Sequence, residues 1–310
     1  MILAVVSSHK RALAAGALLL GILAAAGFWW FRSRPIAPSS QYLRLPSRDA
    51  AILFVNFDAL RRAGLLDLLS GSTATQDPEY RRFVEATSFD YTRDLDSAMV
   101  SFAPGGKYLL LNGRFNWSNL RAYALSHDGD CPGSTCRMTG STPDRHISYT
   151  TLRGHTLALA VSTDDLAVER LDRTTEGSAP PLPSAPVWLM IPGTLLKSPG
   201  DLPNGTRMFA HSMEQAETVT LSLTQDGTRL AAKLDVLCPD AQNAQAIAAD
   251  LNHVTALLKD LISREHQTPS ATDLSGVLTS GSFRNEGRRV YGYWPIERQF
   301  IASLLSGGAG

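Results

Sequence analysis

Between Arg11 and Arg32 the chain carries a run of about twenty residues without a charge, Ala12 to Phe31 (ALAAGALLLGILAAAGFWWF), long enough at 1.5 Å per residue to cross a hydrocarbon core of roughly 30 Å. No other stretch constrains the architecture so strongly. The cluster Phe28, Trp29, Trp30, Phe31 followed by Arg32 and Arg34 reads as an interfacial aromatic belt with snorkelling cations, which marks where a helix leaves the bilayer. The expectation is a single membrane-spanning anchor. Two other readings stand beside it. Ala24, Ala25 and Ala26 supply the small residues of a cleavage site, but cleavage there would leave an aromatic, aggregation-prone end. A buried helix of a soluble protein normally keeps a polar stripe, which this run lacks.

Orientation does not follow from charge, because Lys10 and Arg11 are matched by Arg32 and Arg34. The short leading tail and the pair Cys131 and Cys136 favour a globular part outside the cytoplasm. Over the whole chain Lys plus Arg and Asp plus Glu both number 29, so no net field attracts nucleic acid, which is excluded as an expected partner. Hydrophobic content of 44% is ample for a folded core.

Pro35 to Gln41 (PIAPSSQ) reads as a Pro/Ser linker over 35–44, after an anchor region at 1–34. A first module is expected over 45–173. It holds a strand at 51–57, a helix from Asp58 to Leu69 capped by Asp58, a helix after Asp77 and Pro78, and a hairpin of 96–103 with 108–115. A helix over 117–125, a polar loop with the two cysteines, a hairpin around Gly154 and a helix over 163–171 complete it. The Pro-rich run 174–186 (TTEGSAPPLPSAP) is read as a second linker.

The order then repeats over 187–310: a strand at 187–191, a helical turn after Gly193, a hairpin turning at Gln225, Asp226 and Gly227, a long helix from Asp240 to Glu265, a hairpin turning at 285–287, and a helix from Ile296 to Leu305. Matched elements lie between roughly 120 and 135 residues apart, the constancy that an internal duplication leaves. The fold class expected is α+β: an N-terminal transmembrane helix followed by two similar modules of antiparallel hairpins covered by helices.

An anchor helix, then Leu45-Pro46-Ser47-Arg48-Asp49-Ala50 leading a strand, then Arg93-Asp94-Leu95-Asp96 leading a hairpin, resembles bacterial membrane-anchored envelope proteins that carry a domain of unknown function. The resemblance covers most of the chain in layout. It implies a bacterial cell envelope, and it supplies no activity and no catalytic residues; with the tail and the cysteine pair, the expected place is the bacterial inner membrane with the C-terminal part in the periplasm.

Little in the sequence carries chemistry. Cys131 and Cys136 flank four turn-forming residues, so a bend brings the sulfurs together as a local disulfide. A metal site with His127, Asp128 or Asp130, and a pair of free thiols, remain alternatives, although no second ligand pair stands nearby. Cys238 reads as a small buried apolar residue. The histidines at 9, 127, 146, 155, 211, 253 and 266 form no zinc-binding helix motif, and no Gly-x-Ser-x-Gly elbow is present. His146, Asp144 and a nearby serine are left as a spatial possibility. Gly105-Gly106-Lys107 suits a hairpin turn better than a phosphate loop. Tyr291 and Tyr293 share one face of the last strand and are the candidate partner contact, with a cross-strand stabilising role as the plainer reading.

No cofactor and no metal is expected. Besides the lipid bilayer at residues 12–31, the partner expected is an envelope protein or glycan held by a non-enzymatic binding or scaffolding module. An envelope hydrolase with its site between the two modules is the alternative, and a structural subunit of a membrane complex is a third.

Overall fold

The computed structural model describes residues 35–66, 77–140, 142, 144–153, 155–197, 209–227, 229–265, 268–270 and 272–305, so the apolar run at 12–31 lies outside the described residues. Among the described residues no helix is long and apolar enough to cross a membrane. The α+β class holds: among the described residues eleven antiparallel strands form one sheet, with helices packed on it.

The strands are β1 (Ala51–Val55), β2 (Leu95–Ala103), β3 (Gly106–Gly113), β4 (Thr135–Thr139), β5 (His146–Leu152), β6 (Thr156–Ser162), β7 (Val187–Pro192), β8 (Thr218–Asp226), β9 (Arg229–Leu237), β10 (Ser282–Glu286) and β11 (Arg289–Ile296). Their order across the sheet is β10-β11-β9-β8-β7-β1-β2-β3-β6-β5-β4. Outward from β1 the first half therefore runs β1-β2-β3-β6-β5-β4, and outward from β7 the second runs β7-β8-β9-β11-β10. The two series share one topology, except that β4 has no counterpart among the described residues. They do not stand apart, because β1 and β7 pair directly, with Ile52 opposite Met190 and Phe54 opposite Trp188. Stretches 45–173 and 187–310 thus build one continuous sheet.

Three short helices, α4 (Tyr91–Asp94), α6 (Gly193–Leu196) and α8 (Leu274–Thr279), stand among the longer ones named below, and local signals set most of these elements. Gly227 and Gly287 turn the β8/β9 and β10/β11 hairpins with φ of 59° and 55°, a region where a side chain is strained. Helix α3 (Pro78–Thr87) starts on Asp77, which accepts from the Glu79 N–H at 2.7 Å, and the long α7 (Ala241–Arg264) starts on Asp240, which accepts from Asn243 N–H at 2.8 Å. Four expectations shift. Helix α2 (Phe57–Arg62) is capped by Asn56, whose side chain sits one turn before Ala59 N–H, while Asp58 pairs with Arg61 and Arg62. The helix expected over 163–171 is a 3-10 turn at Ala167–Asp172. Ile296 closes β11 instead of opening α9 (Arg298–Leu305). The cysteine loop contains β4, a five-residue strand whose pattern is too short to read.

Strand alternation divides the core between two faces. On one face α5 (Trp117–Ser126) and α3 cover the first half around Leu120, Ala124, Tyr149 and Leu157, and α7 covers the second, setting Ala244, Ile247, Ala248 and Leu251 against Leu234, Val236, Val290 and Trp294. Helices α2 and α9 add Leu60, Phe300 and Ile301 over Leu230 and Ile296. The opposite face of the first half buries Ile52, Phe54, Met99, Tyr108, Leu110, Ala158 and Ala160 under Leu45, Ala167, Val168 and Leu171. Its cover is made of the stretches expected to be linkers. Within 35–44, α1 (Pro38–Tyr42) buries Gln41 completely, Ile36 is buried, and Asn112 Nδ2 donates to the Ile36 carbonyl at 3.2 Å. Ser101 donates to the Pro46 carbonyl, and Thr175 N–H donates to the Leu43 carbonyl at 2.7 Å. The Pro-rich run continues over this face, with Leu182 against the core, Ala185 buried and the Pro186 carbonyl accepting from Asn56 N–H. Neither stretch is a free spacer: the first accepts the Asn112 side-chain amide of β3 on the Ile36 carbonyl, and the second accepts the Asn56 N–H that follows β1 on the Pro186 carbonyl.

Candidate functional site

The second half of the sheet has, on this same side, a face that no described residues cover beyond the polyproline run and Tyr42 at its inner border. Register fixes its rungs. Thr220, Asp235, Tyr291 and Arg284 lie side by side across β8, β9, β11 and β10, and the next rung holds Ser222, Lys233, Tyr293 and Ser282. A groove of about 570 Å³ runs between Pro180, Pro181, Leu182, Pro183 and Tyr42 on one wall and Thr220, Lys233, Asp235 and Tyr291 on the floor. A shallower hollow of about 440 Å³ continues it to the sheet edge over Lys233, Ser282, Arg284, Tyr291 and Tyr293.

The corresponding rungs of the first half show why one face is covered and the other is not. Counting outward from the β1/β7 pair, Met99 corresponds to Thr220, Leu110 to Asp235, Ala158 to Tyr291, Tyr108 to Lys233 and Ala160 to Tyr293. In the first half the two alanines leave room for the 3-10 turn to seat Val168 and Leu171 in the core. In the second half two tyrosines and two charged residues fill those places, and they prefer water at their tips.

Electrostatics on the open face are largely paired. Arg289 Nη1 donates to both oxygens of Asp235, at 2.7 and 2.8 Å. The Arg284 guanidinium stands 4.8 Å from the centre of the Tyr291 ring, a cation over an aromatic face, and also reaches Glu286 at 3.4 Å. Tyr293 donates its hydroxyl proton to Asp226, and that hydrogen bond holds the Tyr293 pKa above the usual phenol value. Among the described residues Lys233 makes no ion pair, which leaves one exposed cation beside the tyrosines. The face is thus an aromatic and hydroxyl-rich platform with one free positive charge, suited to stacking and hydrogen bonding.

The remaining candidates fall elsewhere. Cys131 and Cys136 are joined as a disulfide, buried against Leu120 and Ala124 where it ties the loop after α5 to β4. Burial pushes the Cys238 thiol up, so it stays protonated inside the α7 core. His146 faces Ser162 across β5 and β6, but the Ser162 hydroxyl donates to the Gly105 carbonyl at 2.9 Å and is not poised toward the imidazole. Gly105, Gly106 and Lys107 form the β2/β3 turn and the start of β3. Among the described residues no group of three His, Cys, Asp or Glu side chains could hold a metal ion. The strand pattern placed Tyr291 and Tyr293 together, but it missed Lys233, Arg284 and the Pro180–Pro183 wall, which only sheet order brings beside them.

No family model matches the chain, and no curated protein matches it. Among solved structures it is similar to crystal form I of TP0453, at 14% identity with a TM-score of 0.50 over 89% of this chain and 100% of that one. Crystal form III of TP0453 gives 12% identity and a TM-score of 0.51 over 88% and 99%. At such identities the likeness is one of fold, and the chain shares that of TP0453 over nearly its whole length.

Proposed function

We propose that this chain is a membrane-anchored binding module of the bacterial cell envelope. In this reading residues 12–31 cross the inner membrane, the globular part lies in the periplasm, and a protein or glycan partner is taken on the open face of the second half. The observation that carries the reading is the exchange of Ala158 and Ala160 for Tyr291 and Tyr293 at corresponding rungs, which keeps one face clear beside a groove while its counterpart is closed by the chain itself. Large apolar-bodied side chains left at a surface with ordered polar neighbours are the usual makings of a contact patch.

Two further observations support it. The Cys131–Cys136 disulfide suits an oxidising compartment such as the periplasm. Among the described residues the carboxylate that lines the groove is Asp235, and Arg289 engages both its oxygens, which suits recognition better than proton transfer. The shared strand order of the two halves is what duplication of one module would leave, with the second copy freed to bind after losing β4 and its cover.

The test is a photo-crosslinking side chain introduced in living cells at Tyr291, with the exposed Leu125 of α5 as control. A discrete adduct at position 291 that is absent at 125 is expected. Equal labelling at both positions would sink the binding-face reading.

A further inference from the structure

The outer edge of β10 is the place that β4 fills on β5 in the first half, and among the described residues no strand pairs with it. Which backbone groups face outward there follows from the ladder. Cys238 N–H donates to the Arg288 carbonyl at 2.9 Å, continuing the β9/β11 pairing, so even-numbered residues of β11 bond to β9 and odd-numbered ones bond to β10. Ser282, Arg284 and Glu286, opposite Tyr293, Tyr291 and Arg289, therefore turn their N–H and C=O groups inward, and Phe283 and Asn285 turn theirs outward. The Phe283 carbonyl agrees with this, since it accepts from Asn252 Nδ2 of α7 at 3.1 Å, from outside the sheet. That bond uses one lone pair and leaves the second free.

We propose that this edge pairs with the same edge of a second copy of the chain, β10 against β10, antiparallel and centred on Asn285, joining two sheets into one. Charge selects the occupant and the register. Centred on Asn285, the pairing sets Arg284 opposite the second copy's Glu286 and Glu286 opposite its Arg284, while the two Asn285 residues exchange both backbone hydrogen bonds. A shift of the centre by one residue puts Arg284 opposite Arg284, or Glu286 opposite Glu286, which repels. Within one chain the Arg284–Glu286 contact is a loose one at 3.4 Å with side chains 70% and 73% exposed, so both groups are available to a partner strand. The occupied place on β5 shows that this architecture accepts an added strand at the matching position without disturbing the β5/β6 ladder. The dimer axis then passes beside Tyr291, so two open faces form one double-length surface.

The experiment uses the full-length chain in detergent micelles or nanodiscs. An Asn285→Cys variant places two thiols on the axis with Cα atoms about 5.5 Å apart, within disulfide range. Cys131 and Cys136 are already bonded and Cys238 is buried, so a reducible covalent dimer reports position 285. Arg284→Glu is expected to weaken association at least about tenfold, and adding Glu286→Arg to it to restore association, as read by light scattering. Cross-linking at 285 with rescue by the double reversal supports the proposal. A chain that stays monomeric at high micromolar concentration overturns it, as does a dimer indifferent to both reversals, and Arg284 and Glu286 would then be edge charges that keep strands apart.

Discussion

The two halves of the sheet share one topology and differ in what lies over one face. In the first half, the segment over 36–46, the 3-10 turn and the Pro-rich run seal that face and bury Met99, Tyr108, Leu110, Ala158 and Ala160. In the second half the corresponding side chains are Thr220, Lys233, Asp235, Tyr291 and Tyr293, and the face is open. Small residues admit a covering segment and apolar ones reward it, whereas tyrosines with charged neighbours do neither. The same scaffold therefore yields a core on one side of the β1/β7 seam and a surface on the other, by substitution at a handful of rungs.

Moving a residue of the open half into the closed one has the largest expected effect. Ala158→Tyr puts a phenol where no space exists and is expected to cost about 3 kcal/mol or more, read as a fall in the urea midpoint at unchanged slope. A cost under about 1 kcal/mol would show that the cover over 36–46 and 167–172 yields easily and that the two faces are less different than they look.

Next in size is Cys131→Ser. The bridged residues are five apart, and closing so short a loop is expected to contribute about 2 kcal/mol. In intact cells a membrane-impermeant maleimide should label the wild type only after reduction, and less so in Cys131→Ser. Labelling that waits for lysis and then needs no reductant would place the globular part in the cytoplasm.

Asp94 ends α4 and stands directly before β2. Its buried carboxylate accepts from Arg93 at 3.0 Å, Arg114 at 3.2 Å and the Asp90 N–H at 3.0 Å. Burial alone raises its pKa, but the Arg93 hydrogen bond, the Asp90 amide and Arg114 together outweigh it and hold the pKa below the ordinary aspartate value. With a folded pKa depressed, the stabilisation is fully present above the unfolded pKa near 4 and is lost as pH falls through the folded value. Asp94→Asn is expected to cost about 1 to 2 kcal/mol at neutral pH, discounted because both arginines are about two-thirds exposed, and to flatten the acid limb of the stability profile below about pH 4. An unchanged acid limb would mean other carboxylates govern it.

The smallest effect belongs to the open face. Tyr291→Ala is expected to change stability by roughly 0.5 kcal/mol, losing the Arg284 contact and some cross-strand packing, while photo-adducts from a neighbouring position disappear. A loss of several kcal/mol would return Tyr291 to a purely structural role.

Much of the molecule was legible before any fold was known. The hairpins follow from alternation and from Asp226-Gly227 and Asn285 to Gly287, and the helices after Asp77 and Asp240 follow from capping. The repeated order of elements and the Cys131–Cys136 bridge were also readable, because all of these signals act over a few neighbouring residues. The tertiary structure decided the rest. That β1 pairs with β7 is a contact across more than a hundred residues, carried by no local pattern. That 35–44 and 174–186 are cover and not spacer depends on carbonyls meeting Asn112, Ser101 and Thr175, far away in sequence. Alternation shows which side of a strand is apolar, but Ala158 and Ala160 look weaker in sequence than Tyr291 and Tyr293. Only the volume they leave free, seen once the 3-10 turn lies over them, explains why the alanines are core and the tyrosines surface.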